Sequence, residues 1–211
     1  MLRGWEFSNK VASTHGEPNT PHTRVLTRAT ISQILRALVL AAACATWDLR
    51  PTAQEVRPEY QLKAAFFSKF AQFVEFPESA LTNSKTFNLC VARPNPFGRA
   101  LDALIVGETL HGRPLAARDV SDPKAIDTCR LLFVPALLLS ERKAFLTKAA
   151  ALPILTVGDY DGFLEEGGIV NLRIVDGRVR FDINAASAHR AGVRLSSQLL
   201  RLALSVRRGP S

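Results

Sequence analysis

A short apolar run near the amino terminus decides which part of this 211-residue chain is available to fold as a domain. The run extends from Ala37 to Ala45, follows Arg24, Arg28 and Arg36, and ends in small residues. A basic flank, a short apolar core and a small-residue exit are typical of a secretory signal peptide. The run is far shorter than the roughly 20 residues that a membrane-spanning helix needs. We therefore expect a cleaved leader and a protein that works outside the cytoplasm.

The end of the leader has the sequence Ala43-Cys44-Ala45, which matches the A-x-A pattern and predicts cleavage after Ala45. Two alternatives stay open. Cleavage directly before Cys44 would give a lipoprotein, and an unexported chain would use this run as a buried helix. Residues 1–23 fit neither a leader nor a domain, because they mix glycines and prolines with polar residues. We interpret residues 1–45 as a non-native extension followed by a signal peptide.

Removing residues 1–45 leaves 166 residues, the size of one domain. We divide them into a linker at 46–57, a folded domain at 58–206 and a tail at 207–211. The mature chain carries a net charge of +5. Its arginines do not cluster with aromatic residues as they do in nucleic-acid-binding grooves. The basic excess thus predicts a solvated surface and no nucleic-acid partner.

Cys90 and Cys129 are the two cysteines of the expected mature chain. In an oxidising compartment, an even pair of cysteines indicates a disulfide. Each cysteine lies at the start of, or within, an apolar strand-like run, and neighbouring parallel strands would bring the two sulfur atoms within bonding distance. Two buried free thiols are the alternative.

The order of the predicted elements indicates an α/β fold. A helix is predicted first, over 58–75, from apolar residues at helical spacing. Strands and helices then alternate, which is typical of a mostly parallel sheet covered on both faces. The strands are predicted at 86–92, 130–135 and 154–157, and the helices between them at 97–105 and 141–151. We expect a three-layer α/β sandwich.

The pattern changes towards the carboxyl terminus. Residues 168–175 and 178–183 alternate between apolar and polar side chains on either side of Asp176-Gly177. An Asp-Gly pair between such runs is the strongest short signal for an antiparallel β-hairpin. The expected sheet is therefore mixed, with a carboxyl-terminal antiparallel hairpin. Two helices are predicted to follow, at 185–191 and 195–206.

The sequence contains little that would support catalysis or metal binding. The expected mature chain has two histidines, His111 and His189, far apart in sequence. No dinucleotide-binding, P-loop or nucleophile-elbow motif occurs. The carboxylates between 159 and 166 lie among glycines, which indicates a tight surface turn. We expect no cofactor, no metal and no enzymatic activity.

Two groups of residues are candidates for binding. Arg190 and Arg194 flank the start of the last predicted helix, where Ser196 offers a hydroxyl near free backbone N–H groups. Such a position attracts anions, and an ordinary solvated helix cap is the alternative. Phe66 and Phe70 belong to a helix with more aromatic side chains than one apolar stripe needs. That helix either docks a partner through an exposed aromatic patch or packs within the core.

Several short motifs resemble the YfiR family of small periplasmic regulators, over about residues 59–206. They are YQLKAAF and KFAQFVEFP in the first helix, CV and NPFG near Cys90, LTVGD, VRFDIN, and RLSSQLL near the end. The resemblance implies an α/β sandwich, a homodimer and a disulfide between Cys90 and Cys129. A second disulfide found in some members has no counterpart here, because Leu164 and Asn171 occupy that region.

The resemblance also implies a function. YfiR-like proteins are non-catalytic and bind the periplasmic sensor part of an inner-membrane diguanylate cyclase, which they hold inactive. They thereby lower cyclic-di-GMP and restrain biofilm formation, and an outer-membrane lipoprotein can sequester them. A regulator of this kind is our leading hypothesis. A periplasmic module that binds a small ligand or anion is the second, and an enzyme is the third.

Overall fold

The computed structural model describes residues 56–82 and 84–209. The predicted amino-terminal extension, the signal peptide and almost all of the linker lie outside the described residues. So does the end of the tail. None of the helices in the two described ranges has the length and apolar character required to cross a lipid bilayer.

Helices and strands alternate along most of the described chain. The helices are α1 (Pro58–Phe70), α2 (Glu78–Thr82), α3 (Ala100–Ile105), α4 (Arg142–Ala149), α5 (Ala185–Arg190) and α6 (Ser197–Leu202). The strands are β1 (Val74–Glu75), β2 (Phe87–Ala92), β3 (Thr109–Leu110), β4 (Arg113–Val120), β5 (Cys129–Val134), β6 (Leu155–Gly158), β7 (Val170–Val175), β8 (Arg178–Asn184), β9 (Arg194–Leu195) and β10 (Ser205–Arg207). Short 3-10 helices occupy Ala71–Phe73 and Pro123–Ile126.

The main sheet is mixed and mostly parallel, as the sequence predicts. Its strand order is β10-β8-β7-β6-β5-β2-β4-β3. The central strands from β7 to β4 run parallel to one another, whereas β8 is antiparallel to β7 and β3 is antiparallel to β4. Strands β1 and β9 form a separate antiparallel pair.

Helices cover both faces of the centre of the sheet, so the predicted three layers are confirmed. All six residues of β2 are buried. Phe87, Leu89 and Val91 belong to the core shared with α1 and α3, whereas Cys90 and Ala92 belong to the core shared with α4. Side chains alternate between the two faces of a strand, so an apolar side chain is needed at almost every position. Each large side chain buried in this way contributes about 1.5–3 kcal/mol.

The predicted hairpin is present, and its turn has the expected geometry. Asp176 and Gly177 connect β7 to β8 and have φ angles of 51° and 69°. Positive φ at both central residues defines a type I′ turn, whose twist matches that of the flanking strands. Val175 is consequently paired with Arg178, and the register continues to Val170 opposite Ile183.

The helix predicted over 195–206 is present only over 197–202. Leu195 pairs with Val74 in the small sheet, α6 ends at Leu202, and residues 205–207 form β10. The chain leaves the helix at Ala203, where ψ is 145°. The N–H of Leu204 then donates to the carbonyl of Phe181 across 2.8 Å and brings β10 beside β8. This partner is distant in sequence, so the local apolar spacing could not reveal it.

The first helix is also shorter than expected. It ends at Phe70 and continues as a 3-10 turn into β1, although apolar residues at helical spacing reach Glu75. The carbonyl of Phe73 accepts a hydrogen bond from the N–H of Ser196 at 2.9 Å, and Val74 pairs with Leu195. Pairing with a remote segment therefore replaces the last helical turn.

Candidate functional site

The carboxyl ends of the parallel strands border an open crevice of about 900 Å³. In the sheet, β2 lies between β4 and β5. The chain runs from β2 to β4 on one side of β2 and then crosses to β5 on the other side, so the connections diverge at β2. Open α/β sheets bind ligands at the carboxyl ends of strands where connections diverge. The residues that line the crevice include Arg57, Tyr60, Arg93, Asn95, Asp119 and Leu137.

The rim of the crevice is a preorganised polar chain. Asn95 accepts a hydrogen bond from the N–H of Phe97 at 2.8 Å, and its amide donates to Oδ1 of Asp119 at 2.7 Å. Arg93 approaches the other oxygen of Asp119 at 3.3 Å. The side chain of Arg93 is 64% exposed, so the guanidinium remains open to solvent. The exposed part of the Arg93 guanidinium is the donor that this rim offers to an anionic ligand.

An ion cluster lies beside this crevice. Nζ of Lys63 donates to Oδ2 of Asp159 at 2.8 Å and also pairs with Glu59. The other oxygen of Asp159 accepts the N–H of Ala136 at 2.7 Å. The side chains of Lys63 and Asp159 are only 4% and 1% exposed. Because each buried charge has an opposite charge and further hydrogen bonds, the cluster fixes α1 against the loop that follows β6.

Tyr60 connects the ion cluster to the crevice. Its ring lies 4.7 Å from Nζ of Lys63, and its side chain lines the crevice. Burial, followed by the nearby carboxylate of Asp159, raises the pKa of Tyr60 to about 12. The phenol is therefore a neutral hydrogen-bonding group across the physiological range.

None of the residues that the sequence singled out for binding lies in this crevice. Sequence reasoning treated Asp159 as part of an exposed turn, but its side chain is buried against Lys63. The sequence does contain a signal for this cluster, which is the charged pair Glu59 and Lys63, one helical turn apart on the side of α1 that carries Tyr60. A lysine in the middle of an apolar helix face calls for a buried partner.

The three residues of the candidate anion site each have a different contact partner. Arg190 is exposed, donates to Oγ of Ser187 at 2.9 Å and borders a separate cavity of about 300 Å³ beside α4. Arg194 is 86% exposed and faces Glu75 at 3.6 Å. Ser196 accepts the N–H of Leu199 at 3.1 Å and so caps α6. The ordinary helix cap, which was the alternative, describes Ser196.

The candidate aromatic patch is largely part of the core. Phe70 is 3% exposed, and its ring centroid lies 5.2 Å from that of Phe181. Phe66 is half-buried, with its ring 6.3 Å from that of Phe70. Phe70 therefore lies in the core, and Phe66 packs against the margin of that core.

The predicted disulfide is present. Cys90 and Cys129 are both fully buried, and their Cα atoms are 5.8 Å apart. They lie on the neighbouring parallel strands β2 and β5, in the layer shared with α4. Across the described part of the chain, no three His, Cys, Asp or Glu side chains are arranged to hold a metal ion.

Comparison with known proteins identifies the family. Among curated proteins, no sequence matches the chain significantly. A conserved domain protein from Vibrio cholerae O1 biovar El Tor is similar in structure, with a TM-score of 0.48 and 13% identity. The alignment covers 70% of this chain and 60% of the Vibrio chain. The family model described as YfiR/HmsC-like matches residues 60–204, which are nearly all of the α/β domain. The protein belongs to the YfiR/HmsC-like family.

Proposed function

We propose that this protein is a periplasmic regulator that represses a membrane-bound diguanylate cyclase by binding the periplasmic sensor domain of that enzyme. The observation that carries the proposal is the YfiR/HmsC-like match over residues 60–204. Repression lowers cyclic-di-GMP and restrains biofilm formation. The protein acts as a homodimer without catalysis, and an outer-membrane lipoprotein relieves repression by sequestering it.

Repression of this kind needs only a difference in affinity. A regulator that binds the inactive state of its partner more tightly than the active state shifts the partner towards inactivity. Moving a cyclase from about 1% to about 99% inactive requires a preference of roughly 10⁴-fold. The scaffold that would carry the binding surface is cross-linked, because a disulfide joins the neighbouring strands β2 and β5.

Deletion of the gene in its own organism tests the proposal. We expect cyclic-di-GMP to rise in the deletion strain, and expression of the 211-residue chain to return it to the starting level. The matched control is a chain without residues 2–45, which stays in the cytoplasm if these residues contain the leader. An unchanged cyclic-di-GMP level after deletion contradicts repression. Full complementation by the leaderless chain contradicts action in the periplasm.

The crevice supports a second candidate function, which is the binding of a small anion. Arg57 and Arg93 both line a volume of about 900 Å³ that also contains Tyr60. Calorimetric titration of the purified protein with inorganic phosphate and with acetate tests this function, and Arg93→Ala is the matching variant. Binding that disappears in Arg93→Ala supports the ligand module. Absence of binding to the wild-type protein argues against it.

A further inference from the structure

The positive charge of the described domain is concentrated near its carboxyl terminus. Residues 170–208 contain eight arginines, no lysine and two acidic residues, which is a net charge of +6. Residues 56–169 contain 13 basic and 13 acidic residues, so their net charge is zero. The whole excess therefore belongs to the hairpin and the segment that follows it.

Three of these arginines share one face of the hairpin. Leu172, Val179 and Phe181 face the core under α1. Because side chains alternate along a strand, Arg173, Arg178 and Arg180 lie on the opposite face, and all three are exposed. We call these three residues the arginine surface.

Positively charged side chains lie close to one another on the arginine surface. Arg173 is the direct cross-strand partner of Arg180, and Arg178 lies two residues before Arg180 on the same strand. Like charges directly opposite each other destabilise a sheet. The fold therefore keeps an arrangement that costs stability in the isolated domain.

Few carboxylates compensate for this charge. Asp182 approaches Arg173 at 3.4 Å, but its side chain is only 12% exposed and already accepts a hydrogen bond from Ser205 at 2.6 Å. Within residues 56–82 and 84–209, no carboxylate forms an ion pair with Arg178 or Arg180. Both guanidinium groups are free to pair with a carboxylate of another molecule.

The hairpin contains arginine but no lysine, which favours a protein partner with carboxylate side chains. The planar guanidinium binds a carboxylate through two parallel hydrogen bonds, whereas the ammonium of lysine acts as a point charge. Protein interfaces are accordingly enriched in arginine and depleted in lysine. Residues 56–169 use six lysines among their 13 basic residues, whereas the hairpin uses none.

A membrane surface fits less well. Proteins that bind anionic lipids combine basic residues with apolar side chains that enter the acyl region. The exposed large apolar residue of the hairpin is Ile174, at 44% exposure. By the same alternation, Ile174 lies on the face opposite to the arginine surface.

We propose that the arginine surface is the docking site for an acidic segment of the partner's periplasmic sensor domain, whose Asp and Glu side chains pair with Arg173, Arg178 and Arg180. This inference rests on the proposed function and adds to it the chemistry of the contact. Docking supplies the missing counter-charges, so it relieves the repulsion between Arg173 and Arg180 in the bound state.

Charge reversal on β8 tests the inference. The variant is Arg178→Glu with Arg180→Glu, because both side chains are exposed and take no part in the ion pairs of the described domain. The matched control is Arg99→Glu with Lys124→Glu, which makes the same change in net charge at two exposed positions in the neutral part of the domain. Near-ultraviolet circular dichroism establishes that each variant is folded. If the Glu variant does not fold, Arg178→Gln with Arg180→Gln replaces it.

The probes are the purified periplasmic domains of the membrane-bound diguanylate cyclases of the same organism, titrated one at a time with the processed full chain. We expect one of them to bind the wild type, at least tenfold weaker binding by the Arg178/Arg180 variant, and less than a twofold change for the control. An Asp or Glu to Arg substitution in the partner is expected to restore binding to the Glu variant.

Two results overturn the inference while leaving the proposed function intact. One is equal binding of the cyclase domain by the wild type and the Arg178/Arg180 variant. The other is unchanged cyclase binding together with lost binding to phosphatidylglycerol vesicles, which assigns the arginine surface to the membrane. If the wild type binds no cyclase domain, the proposed function fails and the inference falls with it.

Discussion

Nζ of Lys63 lies 2.8 Å from Oδ2 of Asp159, although 96 positions separate the two residues in the chain. The contact joins the middle of α1 to the loop that follows β6. Glu59 and the N–H of Ala136 complete the hydrogen bonding of the pair. The candidate crevice therefore has one wall, at Tyr60, whose position depends on a buried charge pair.

Asp159→Asn is expected to lower the free energy of unfolding by about 3 kcal/mol, because it leaves the buried ammonium of Lys63 without its main counter-charge. Lys63→Met in the same chain is expected to recover part of the loss, since it removes the unpaired charge. Urea denaturation of both single variants and the double variant measures the coupling. A coupling energy of zero would mean that Lys63 and Asp159 do not stabilise each other.

Removal of the disulfide is expected to cost about 4 kcal/mol on the chain-entropy model, because Cys90 and Cys129 are 39 positions apart. Thermal unfolding with and without dithiothreitol measures the effect on the wild type. The control is the variant Cys90→Ala with Cys129→Ala, whose Tm is expected to be low and insensitive to the reductant. A wild-type Tm that does not respond to complete reduction contradicts the prediction.

Gly168→Ala is expected to destabilise the protein by about 1–3 kcal/mol through overpacking. A Cβ atom at Gly168 would overlap the ring of Phe163, which is fully buried. Combining it with Phe163→Ala removes the overlap, so the two losses of stability are expected to sum to more than the loss in the double variant. Strict additivity in urea denaturation would show that the ring moves aside.

Stability is expected to fall between about pH 10 and pH 12. The pKa of Tyr60 is raised to about 12 in the folded protein, and burial followed by its hydrogen bond to Glu166 also raises that of Tyr160. Because the pKa is raised in the folded protein, the tyrosine ionises first in the unfolded chain, near pH 10. The contribution of the tyrosine to stability is therefore complete below pH 10 and disappears towards pH 12. For Tyr60 the loss amounts to about 2–3 kcal/mol.

Absorbance at 295 nm measures the ionisation of tyrosine directly. The chain has two tyrosines, so each contributes half of the total change. In concentrated urea, which unfolds the chain, both tyrosines are expected to ionise near pH 10. In buffer, neither is expected to ionise until the protein unfolds. Normal titration of one tyrosine in the folded protein would show that this side chain is solvated.

Local signals predicted the parts of the fold that depend on neighbouring residues. The Asp176-Gly177 turn is one, because positive φ at two consecutive positions is a property of those two residues. The apolar strands β2 and β5 are another, since burial on both faces requires apolar residues almost throughout. The pairing of Cys90 with Cys129 was predicted from an even number of cysteines in an exported chain and from the family resemblance, and the neighbouring strands β2 and β5 make it possible.

The errors arose where a remote segment competes with a local preference. Residues 195–206 have helical spacing, but Leu195 pairs with Val74 and Leu204 with Phe181. The partner of Lys63 was missed for the same reason, since Asp159 lies among glycines and other acidic residues that are typical of a surface turn. Sequence order alone could not tell which of those carboxylates is buried.

Strand β10 consists of residues 205–207 and lies along the outer edge of β8. Ribosomes make a chain from its amino terminus, so β8 keeps an open row of backbone hydrogen-bonding groups until residues 205–207 have been translated. Open edges of this kind invite pairing between copies. A nonsense mutation at codon 205 would therefore leave the strands from β1 to β9 in place but expose the edge of β8, and so produce an aggregating polypeptide.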